Sequence, residues 1–588
     1  MGLFNADRFQ EAYDKIKEDA LGLDCSILIF VASDTDALCA CKILQELLKT
    51  DYLAHKIVPV NGYTDLSYAN QELIEDNSNI RSIIMLNCGG MVDLTEFLNI
   101  SNNTGVYVFD SHRPLHLSNM FGFSPIVVFD DEDPDALQHV QKAFEALEYA
   151  DSEDEDSDAM EEDDPLDSSH RVARQQRREH KQVITAYYSS GTHYGPAAAL
   201  MIYTLASELD RTTTSMLWFS IIGVTSQYLQ EHLDADRYES QTQAFKDEVA
   251  RLGLAQSDRF LGSDNSEGDT QREEYAIKYH EELRFMLFRH WSLYESMFHS
   301  SYVAAKLGIW REKGRRRLLN MLAKMGFSLR QCQQLYTHMD LSLKRTLRQK
   351  IEEVAPDYGL VDLCYGSFMR SYGYKGNLSA SDVVYAITAL LKSTPEVAKR
   401  LGTELEWNDT VDGEEEQETQ WMKSFYTAYD ALDDIELIQH GLSLAMKLQQ
   451  AVVRQGTSMI ERHAIKTLKT FRFAVVKDGP DLTLFSHPAT LSQLALFLLD
   501  AMREYRKADL PFVIAALNEN QGTYMVVGVS GSNQHGDTRR NHFGLAFQHT
   551  AHLTGARCRH DSFETSVMEI KSEDLAVFME HLHIRILQ

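Results

Sequence analysis

The sequence predicts an α/β protein with three units: a doubly wound parallel sheet, an all-α region and a C-terminal α/β domain. Three observations support this prediction. Short apolar runs alternate with helical segments up to residue 130, helical periodicity dominates the middle of the chain, and strand patterns resume from residue 471. We therefore place the units at 1–229, 230–470 and 471–588, which a chain of 588 residues can accommodate.

The first unit begins with a predicted helix over residues 6–20 and a wholly apolar run at 25–33. An uninterrupted apolar strand is typical of parallel sheets, in which both faces are buried. The alternation continues with helices predicted at 36–48 and 69–76, and with strands at 55–60, 81–87, 104–110 and 124–130. Residues 195–229 are predicted to add further helices to this unit.

A charged, disordered insertion is expected at about 131–182. Residues 151–167 contain no basic residue, and the arginine-rich stretch RVARQQRREHK follows at 171–181. A segment with so little apolar surface is predicted to remain solvated. Docking of the acidic run on a basic partner is one alternative, and nuclear import or phosphate contact by the arginines is another.

The middle unit is predicted to be all-α, with an exposed acidic loop at 403–420. Residues 283–303 carry apolar side chains three or four positions apart, which predicts one continuous helix with an unusually wide apolar surface. A partner-binding surface is therefore predicted to include Phe285, Trp310, Arg315, Arg316 and Arg317. A helix buried within the unit, beside solvated arginines, is the alternative.

The last unit is predicted to contain both strands and helices. Strands are expected at 471–476, 482–486, 511–517 and 523–530. Helices are expected near 491–505, 538–554 and 572–585.

The charge balance limits the functions that the chain can have. It contains 57 Lys and Arg against 87 Asp and Glu, a formal net charge of -30, so any contact with DNA must be a local groove. Seven scattered cysteines indicate a reducing compartment. With no signal sequence and no run of eighteen apolar residues, we expect neither export nor contact with a membrane, and the absence of a Walker A motif argues against an NTP-driven motor.

Three carboxylates are predicted to meet at one edge of the parallel sheet. Asp34 and Asp36 follow the first apolar strand, and Asp110 ends the fourth. Ligands bind at the carboxyl edge of open α/β sheets, and acids placed there suit divalent cations that activate water against phosphate esters. An Asp-x-Asp after a strand is also typical of a plain helix N-cap, so the spacing alone leaves both alternatives open.

Longer motifs resemble known families. LIFVASDTDALCACKILQELL, LNCGGMVDL and FDSHRP resemble, in this order, the opening motifs of the DHH phosphoesterase superfamily, to which RecJ-type exonucleases belong. Nearly end to end, the chain resembles the cell division control protein 45 family of eukaryotic replication, with support from HWSLYESMFHSSYVAAKLGIW, SASDVVYAITALL and RRNHFGLAF. The resemblance implies a non-catalytic, nuclear subunit of the replicative helicase. Its implied partners are the MCM hexamer, GINS and fork DNA, single-stranded DNA included, with no small-molecule substrate.

The resemblance also implies that the phosphoesterase site is vestigial. Asp34, Asp36, Asp110 and His112 match the active pattern, but Asn87 replaces a metal-bridging aspartate and Ser111 a metal-binding histidine. A later aspartate corresponds to Ser226, although Asp234 and Asp236 lie nearby. Two divalent cations need several anionic oxygens, one of them shared, and the remaining acids are too few. We therefore expect no catalytic residue, no metal and no cofactor.

A second implied contact lies near the C-terminus. DTRRNHFGLAF, at 537–547, resembles the substrate-gripping domain of the superfamily, and Arg539, Arg540 and His542 are the predicted phosphate contacts. Only Gly544 remains of a glycine-rich loop, and solvated arginines at a helix start are the alternative. For the whole chain, an active single-strand nuclease and an acidic adaptor for basic partners remain the competing functions.

Overall fold

The structure, a computed structural model, describes residues 2–20, 26–75, 77, 79–101, 103–122, 125–130, 134–151, 168–260, 276–393, 397–398, 401–402, 416–506, 510–531 and 538–586. The first unit contains strands β1 (Gly2–Phe4), β2 (Ile27–Ala32), β3 (His55–Val60), β4 (Ser82–Leu86), β5 (Gly105–Phe109), β6 (His112–Arg113), β7 (Ile126–Phe129) and β8 (His193–Tyr194). Its helices are α1 (Phe9–Ala20), α2 (Thr35–Thr50), α3 (Tyr63–Ala69), α4 (Leu94–Phe97), α5 (Leu117–Phe121), α6 (Pro134–Asp151), α7 (Ser168–Ser189), α8 (Ala198–Glu208) and α9 (Thr214–Leu229).

Six strands of the first unit form a parallel sheet in the order β1-β7-β5-β4-β2-β3. Every residue of β2, β4, β5 and β7 is buried, as expected for strands covered on both faces. The α/β fold with a parallel sheet is thus confirmed. The helix expected at 69–76 begins earlier, as α3, and continues as a π-helical turn over Asn70–Ile74.

Much of the expected disordered insertion is helical. Helices α6 and α7 pack against each other on either side of residues 152–167, which lie outside the described residues. In α6, Val140 is buried in the core, and Ile184 and Tyr187 of α7 pack against the same core. Apolar side chains on one face of each helix are sufficient to attach the helix to this core.

The middle unit is mainly helical but also contains strands. Its strands are β9 (Ile277–Leu283), β10 (Cys364–Ser371) and β11 (Asn377–Ser379). Its helices are α10 (Ala235–Phe260), α11 (Leu293–His299), α12 (Ser301–Leu307), α13 (Glu312–Lys324), α14 (Leu329–Gln333), α15 (Leu341–Val354), α16 (Ala380–Lys392), α17 (Glu416–Ala431) and α18 (Ile435–Glu461).

Two predictions for the middle unit are wrong. It is not all-α, because β9, β10 and β11 form an antiparallel sheet. Residues 283–303 are not one helix: β9 ends at Leu283, a turn follows, and Ser300 begins a new helix by accepting a hydrogen bond from the Val303 N–H. Of the acidic loop expected at 403–420, residues 416–420 belong to α17, and the preceding part lies outside the described residues.

The sheet of the last unit begins before residue 471, with strand β12 (Lys466–Thr467). Its other strands are β13 (Arg472–Val476), β14 (Phe512–Asn518), β15 (Thr523–Val529), β16 (Cys558–Arg559) and β17 (Val567–Lys571). Its helices are α19 (Leu482–Phe485), α20 (Pro488–Arg506), α21 (Phe543–Thr554) and α22 (Leu575–Ile586). The strands form one mixed sheet in the order β12-β13-β14-β15-β17-β16. The strand expected at 482–486 is wrong, since this segment is α19, and β16 and β17 lie where no strand was predicted.

The first and last units meet directly. Thr192 and Asn541 exchange two backbone hydrogen bonds, with N–O distances of 2.8 and 2.7 Å. Asp561 accepts hydrogen bonds from the backbone N–H groups of Tyr63 and Thr64 on the other side. The two units thus face each other across a cleft. No helix in the described part of the chain is long and apolar enough to span a membrane.

Candidate functional site

The candidate site lies at the carboxyl edge of the parallel sheet, where β2, β4 and β5 end side by side. Asp34, Asn87 and Asp110 follow these three strands, and the structure brings them together as predicted. Asp34 caps helix α2, since its Oδ1 accepts a hydrogen bond from the Ala37 N–H at 2.8 Å. The plain N-cap role considered for this residue is therefore present in the structure.

Asp36 is buried and holds the start of another helix. Its carboxylate accepts hydrogen bonds from the backbone N–H groups of Ala198, at 2.8 Å, and Ala199, at 3.0 Å. Helix α9 also approaches closely, because a Cβ at Gly223 would lie 2.5 Å from Asp36 Oδ1. Asp36 is thus enclosed by α8 and α9, and its oxygens are used by backbone donors.

Asn87 links the two acids. Its side-chain Nδ2 donates to Asp36 Oδ2 at 3.0 Å and to Asp34 Oδ1 at 3.2 Å. Its Oδ1 accepts the backbone N–H of Ser111 at 3.1 Å, which fixes the orientation of the amide. The backbone of Asn87 is left-handed, with φ of 53°, a conformation that asparagine tolerates better than most residues.

The two acids share one protonation equilibrium. Burial, followed by the charge of Asp36, raises the pKa of Asp34 to about 7. Burial also raises the pKa of Asp36, against the opposing hydrogen bonds from Asn87 and the two backbone N–H groups. Two carboxylates in a poorly solvated place cannot both ionise easily, so the pair retains a proton close to neutral pH.

Asp110 and His112 are hydrogen-bonded to each other beside the acids. His112 donates to Asp110 Oδ1 from Nδ1, at 2.7 Å, and from its backbone N–H, at 3.0 Å, while the Gly90 N–H donates to Oδ2. Burial alone would raise the pKa of Asp110, but the charge and hydrogen bonds of His112 hold it below its usual range. Burial opposes protonation of His112, yet Asp110 raises the pKa of the imidazole.

Ser111 and Ser226 are both buried and form hydrogen bonds within the first unit. Ser111 is buried, and its backbone carbonyl accepts the Gly195 N–H at 2.7 Å. Ser226 is buried on α9, where its hydroxyl accepts a hydrogen bond from Gln230 at 3.3 Å. Asp234 instead reaches the last unit, accepting the Thr538 N–H at 2.6 Å.

This arrangement does not fit a pair of divalent cations. A bridging ligand must present lone pairs to both metals, whereas Asn87 presents N–H groups to Asp34 and Asp36. The carbonyl of the same amide accepts a backbone hydrogen bond. Across the described ranges, no group of three or more His, Cys, Asp or Glu side chains is placed to hold a metal ion.

The predicted phosphate contacts separate into two groups. Arg539 and Arg540 line a cleft of about 830 Å³ between the first and last units, together with His112, Arg113 and Arg237. His542 lies outside this lining and precedes α21 without capping it through its side chain. Of the three predicted contacts, the two arginines therefore face the cleft.

The cleft also contains residues that sequence reasoning missed. His193 lines it, and burial together with the charge of Arg540 lowers the pKa of its imidazole to about 4. Tyr194 stacks on His232, with ring centroids 3.7 Å apart. The signal for this segment was the sequence Gly-Thr-His-Tyr-Gly at 191–195, in which glycines flank two ring-bearing side chains.

The predicted partner-binding residues do not share one surface. Phe285 is 4% exposed and Trp310 is 6% exposed, so the prediction that these side chains form a surface is wrong. Arg317 donates to the Tyr358 carbonyl at 3.0 Å. Arg315 and Arg316 are exposed, and Arg316 pairs with Glu312 at 3.1 Å, as in the solvated-helix alternative. Phe285 is buried because the turn after β9 directs this segment into the core.

Comparison with known proteins identifies the family. The CDC45 family model matches residues 27–173 and 164–585. The chain belongs to the CDC45 family. The cell division control protein 45 homolog of Schizosaccharomyces pombe is 39% identical, over 98% of this chain and 99% of its own. Cell division control protein 45 of Saccharomyces cerevisiae is 34% identical over 98% and 99%.

A solved structure shares the fold. The crystal structure of CDC45 from Entamoeba histolytica superposes with a TM-score of 0.70 and 24% identity, covering 100% of both chains. The RecJ-type resemblance lies in the sequence motifs that end β2, β4 and β5. Membership of the CDC45 family assigns the chain a role in DNA replication and the cell cycle.

Proposed function

We propose that this chain is a nuclear, non-catalytic subunit of the replicative DNA helicase, which bridges the MCM ring and GINS. Family membership supports the setting in DNA replication. The observation that carries the non-catalytic part is the amide of Asn87, which donates hydrogen bonds to both Asp34 and Asp36. A neutral donor in this position serves as a structural clamp rather than as a metal ligand.

The chemistry of hydrolysis explains why the clamp matters. Metal-assisted cleavage of a phosphate ester needs a cation to lower the pKa of a bound water and to offset charge in the transition state. Here Asp36 is committed to two backbone N–H groups and Asp110 to His112. The side chains that remain can stabilise the sheet edge, but they cannot activate water.

The cleft is the proposed contact for single-stranded DNA. Arg237, Arg539 and Arg540 line it in a chain whose net charge is -30, so the attraction for phosphate is local. His112 also lines the cleft, and Asp110 raises the pKa of its imidazole, which favours the positively charged form. Backbone contact of this kind is independent of sequence and weakens as salt is added.

A nuclease assay tests the non-catalytic part. With Mn²⁺ or Mg²⁺ and end-labelled single-stranded DNA, the wild-type protein should release no more product than Asp34→Ala. Cleavage by the wild type that is abolished in Asp34→Ala would establish the competing function, an active nuclease.

Capture experiments test the partners. Purified wild-type protein should bind MCM and GINS together in a stoichiometric complex, as followed by size-exclusion chromatography. If the protein binds basic proteins in general, and deletion of residues 151–167 abolishes this binding, the acidic adaptor is favoured instead.

Salt titration tests the DNA contact. Arg540→Glu should weaken single-stranded DNA binding and reduce the slope of log affinity against log salt by about 0.7 for each phosphate that the variant no longer binds. Arg462→Glu, an exposed arginine of the middle unit, is the matched control. Equal weakening by both variants would exclude the cleft as the DNA-binding site.

A further inference from the structure

One part of the middle unit is strongly basic in an acidic protein. Residues 311–350 contain eleven Lys and Arg against two acids, Glu312 and Asp340, whereas the whole chain carries a net charge of -30. Such a concentration of one sign produces a local positive potential. The proposed DNA-binding cleft does not use this region.

In the C-terminal part of this region, lysines of α15 contact the segment that precedes the helix. Lys344 of α15 donates to the Thr337 carbonyl at 3.0 Å, and its Nζ lies 4.9 Å from the ring centroid of Tyr336. Six residues later, the Nζ of Lys350 lies 4.8 Å from the ring centroid of Phe327. Helix α15 therefore runs antiparallel to the preceding segment. We call residues 326–350 the basic face.

The cations of the basic face have different surroundings. Arg330 and Arg345 are exposed, and no acid among the described residues forms an ion pair with either. Lys344 and Lys350 are held over aromatic rings, which limits the entropy that they lose when they bind an anion. Arg348 differs, because Glu281 and Glu352 already pair with it.

Leucines lie among these cations. Leu329 is 46% exposed, Leu335 is 47% exposed and Leu341 is 60% exposed. Leu329 and Leu335 lie on the segment before α15, and Leu341 is the first residue of α15. All three therefore fall within the same 25 or so residues as Arg330 and Arg345. A phosphate backbone would pair with the cations, but it has no apolar groups to contact the three exposed leucines. An acidic segment with apolar side chains complements both.

We propose that the basic face binds an acidic segment of a partner protein that carries Leu or Phe on one side, docked as an amphipathic helix. The distance along α15 from Lys344 to Lys350 is about 9 Å, so a helix of two to three turns can span the cations. Charge complementarity selects the acidic face of the partner, and the leucines select its apolar side chains. The proposal goes beyond the bridging function and holds whichever helicase protein supplies the segment.

The experiment uses the full chain and a synthetic peptide. The probe is a fluorescent peptide of about 18 residues, with Glu and Asp on one face and Leu at every third or fourth position. Fluorescence anisotropy should show saturable binding that weakens with salt. Two variants, Arg330→Glu with Arg345→Glu, and Leu335→Ser with Leu341→Ser, should each weaken binding at least about tenfold, since each removes two side chains that bind the peptide.

A matched control changes the same residue types elsewhere. Lys469→Glu with Leu553→Ser alters an exposed lysine and a leucine that is exposed in the last unit, and should bind the peptide like the wild type. Thermal unfolding verifies that each variant is folded. Because the charge and leucine variants are independent, either one suffices if the other unfolds.

Four results would overturn the proposal. They are wild-type affinity in a folded variant of the basic face, equal affinity for a peptide with Ser in place of Leu, and tighter binding of single-stranded DNA through the same residues. The fourth is equal affinity for a peptide of residues 151–167, which would make this chain's own acidic run the occupant. None depends on whether MCM and GINS are captured, so failure here is distinguishable from failure of the proposed function.

Discussion

Two pairs of neighbouring carboxylates in this molecule share partners of different charge. At the sheet edge, Asp34 and Asp36 share the neutral amide of Asn87, and burial raises both pKa values. In the middle unit, Glu282 and Asp382 share the guanidinium of Arg289, whose Nη1 lies 2.7 Å from Glu282 and 3.4 Å from Asp382.

The charge of the shared partner determines in which direction the pKa of a buried carboxyl shifts. Burial opposes ionisation of Asp382, but His290 and Arg289 outweigh it and keep the pKa of this carboxyl well below its usual range. Cations therefore keep Asp382 in its charged form, whereas the neutral amide leaves Asp34 and Asp36 able to take up a proton. The stability that each pair of carboxylates contributes is therefore expected to depend differently on pH and on removal of the shared amide or guanidinium.

The largest effect is expected from Arg289→Met. This change leaves two buried carboxylates with no shared cation, and should reduce the free energy of unfolding by about 3–5 kcal/mol at neutral pH. Urea denaturation measures the loss. Arg348→Met, which removes an arginine that is 51% exposed in its own ion pairs, should change stability by less than about 1 kcal/mol. Equal losses in the two variants would contradict the comparison.

A smaller loss is expected from Asn87→Leu. The change removes the donor to Asp34 and Asp36 and leaves the Ser111 N–H without its acceptor, so the expected cost is about 1–3 kcal/mol. It should be less severe than Arg289→Met, because the acids at the sheet edge can bind a proton. A greater loss at Asn87 than at Arg289, in the same denaturation series, would reverse the interpretation.

The pH dependence separates the pairs directly. The pKa of Asp34 is about 7 in the folded protein and about 4 when unfolded, so the folded state binds its proton more tightly. The contribution of this carboxyl is fully present below about pH 4 and is lost as the pH rises to about 7. Asp34→Asn, which keeps an N-cap, should reduce this decline by about 1–2 kcal/mol.

Asp382→Asn provides the contrast in the same measurement. The lowered pKa of Asp382 contributes stability that is present above its unfolded value and is lost only as the pH falls below it. Its removal should lower stability almost equally at about pH 5 and pH 7.5. A decline between those values that is the same in the wild type and Asp34→Asn would exclude Asp34 as its source.

The smallest effect is expected from deletion of residues 151–167, which include neither pair of carboxylates. This acidic run has too little apolar surface to contribute to a core, so the melting temperature should change by less than about 1 °C. Differential scanning fluorimetry is sufficient. A fall of several degrees would indicate that the run docks on the folded body.

Sequence reasoning succeeded where one physical signal dominated. Strand β3 was predicted with its observed bounds, His55–Val60, and the ends of β2, β4 and β5 were close enough to place Asp34, Asn87 and Asp110 together. Apolar runs determine such strands locally, and the sheet topology determines that their ends meet.

The errors arose where tertiary contacts decide local structure. Strand β9 contains Glu281 and Glu282, and burial of Glu282 depends on Arg289 and on two serines far along the chain, Ser379 and Ser381. After Leu283, apolar residues recur at helical spacing, which suggested one continuous helix. A turn followed by two short helices buries the same residues, so the spacing does not distinguish the two structures. In the cleft, the charge of Arg540 helps to lower the pKa of His193. Arg540 lies far along the chain, so no local sequence pattern reveals this effect.

The pairing between Thr192 and Asn541 has a consequence for synthesis of the chain. These residues are separated by 349 positions, yet they exchange backbone hydrogen bonds. At about 5–20 residues per second, a ribosome needs roughly 20–70 s to make the intervening chain. During that time the segment around Thr192 emerges without its pairing partner. A chain truncated before Asn541 would contain a first unit in which Thr192 can never form these two backbone hydrogen bonds.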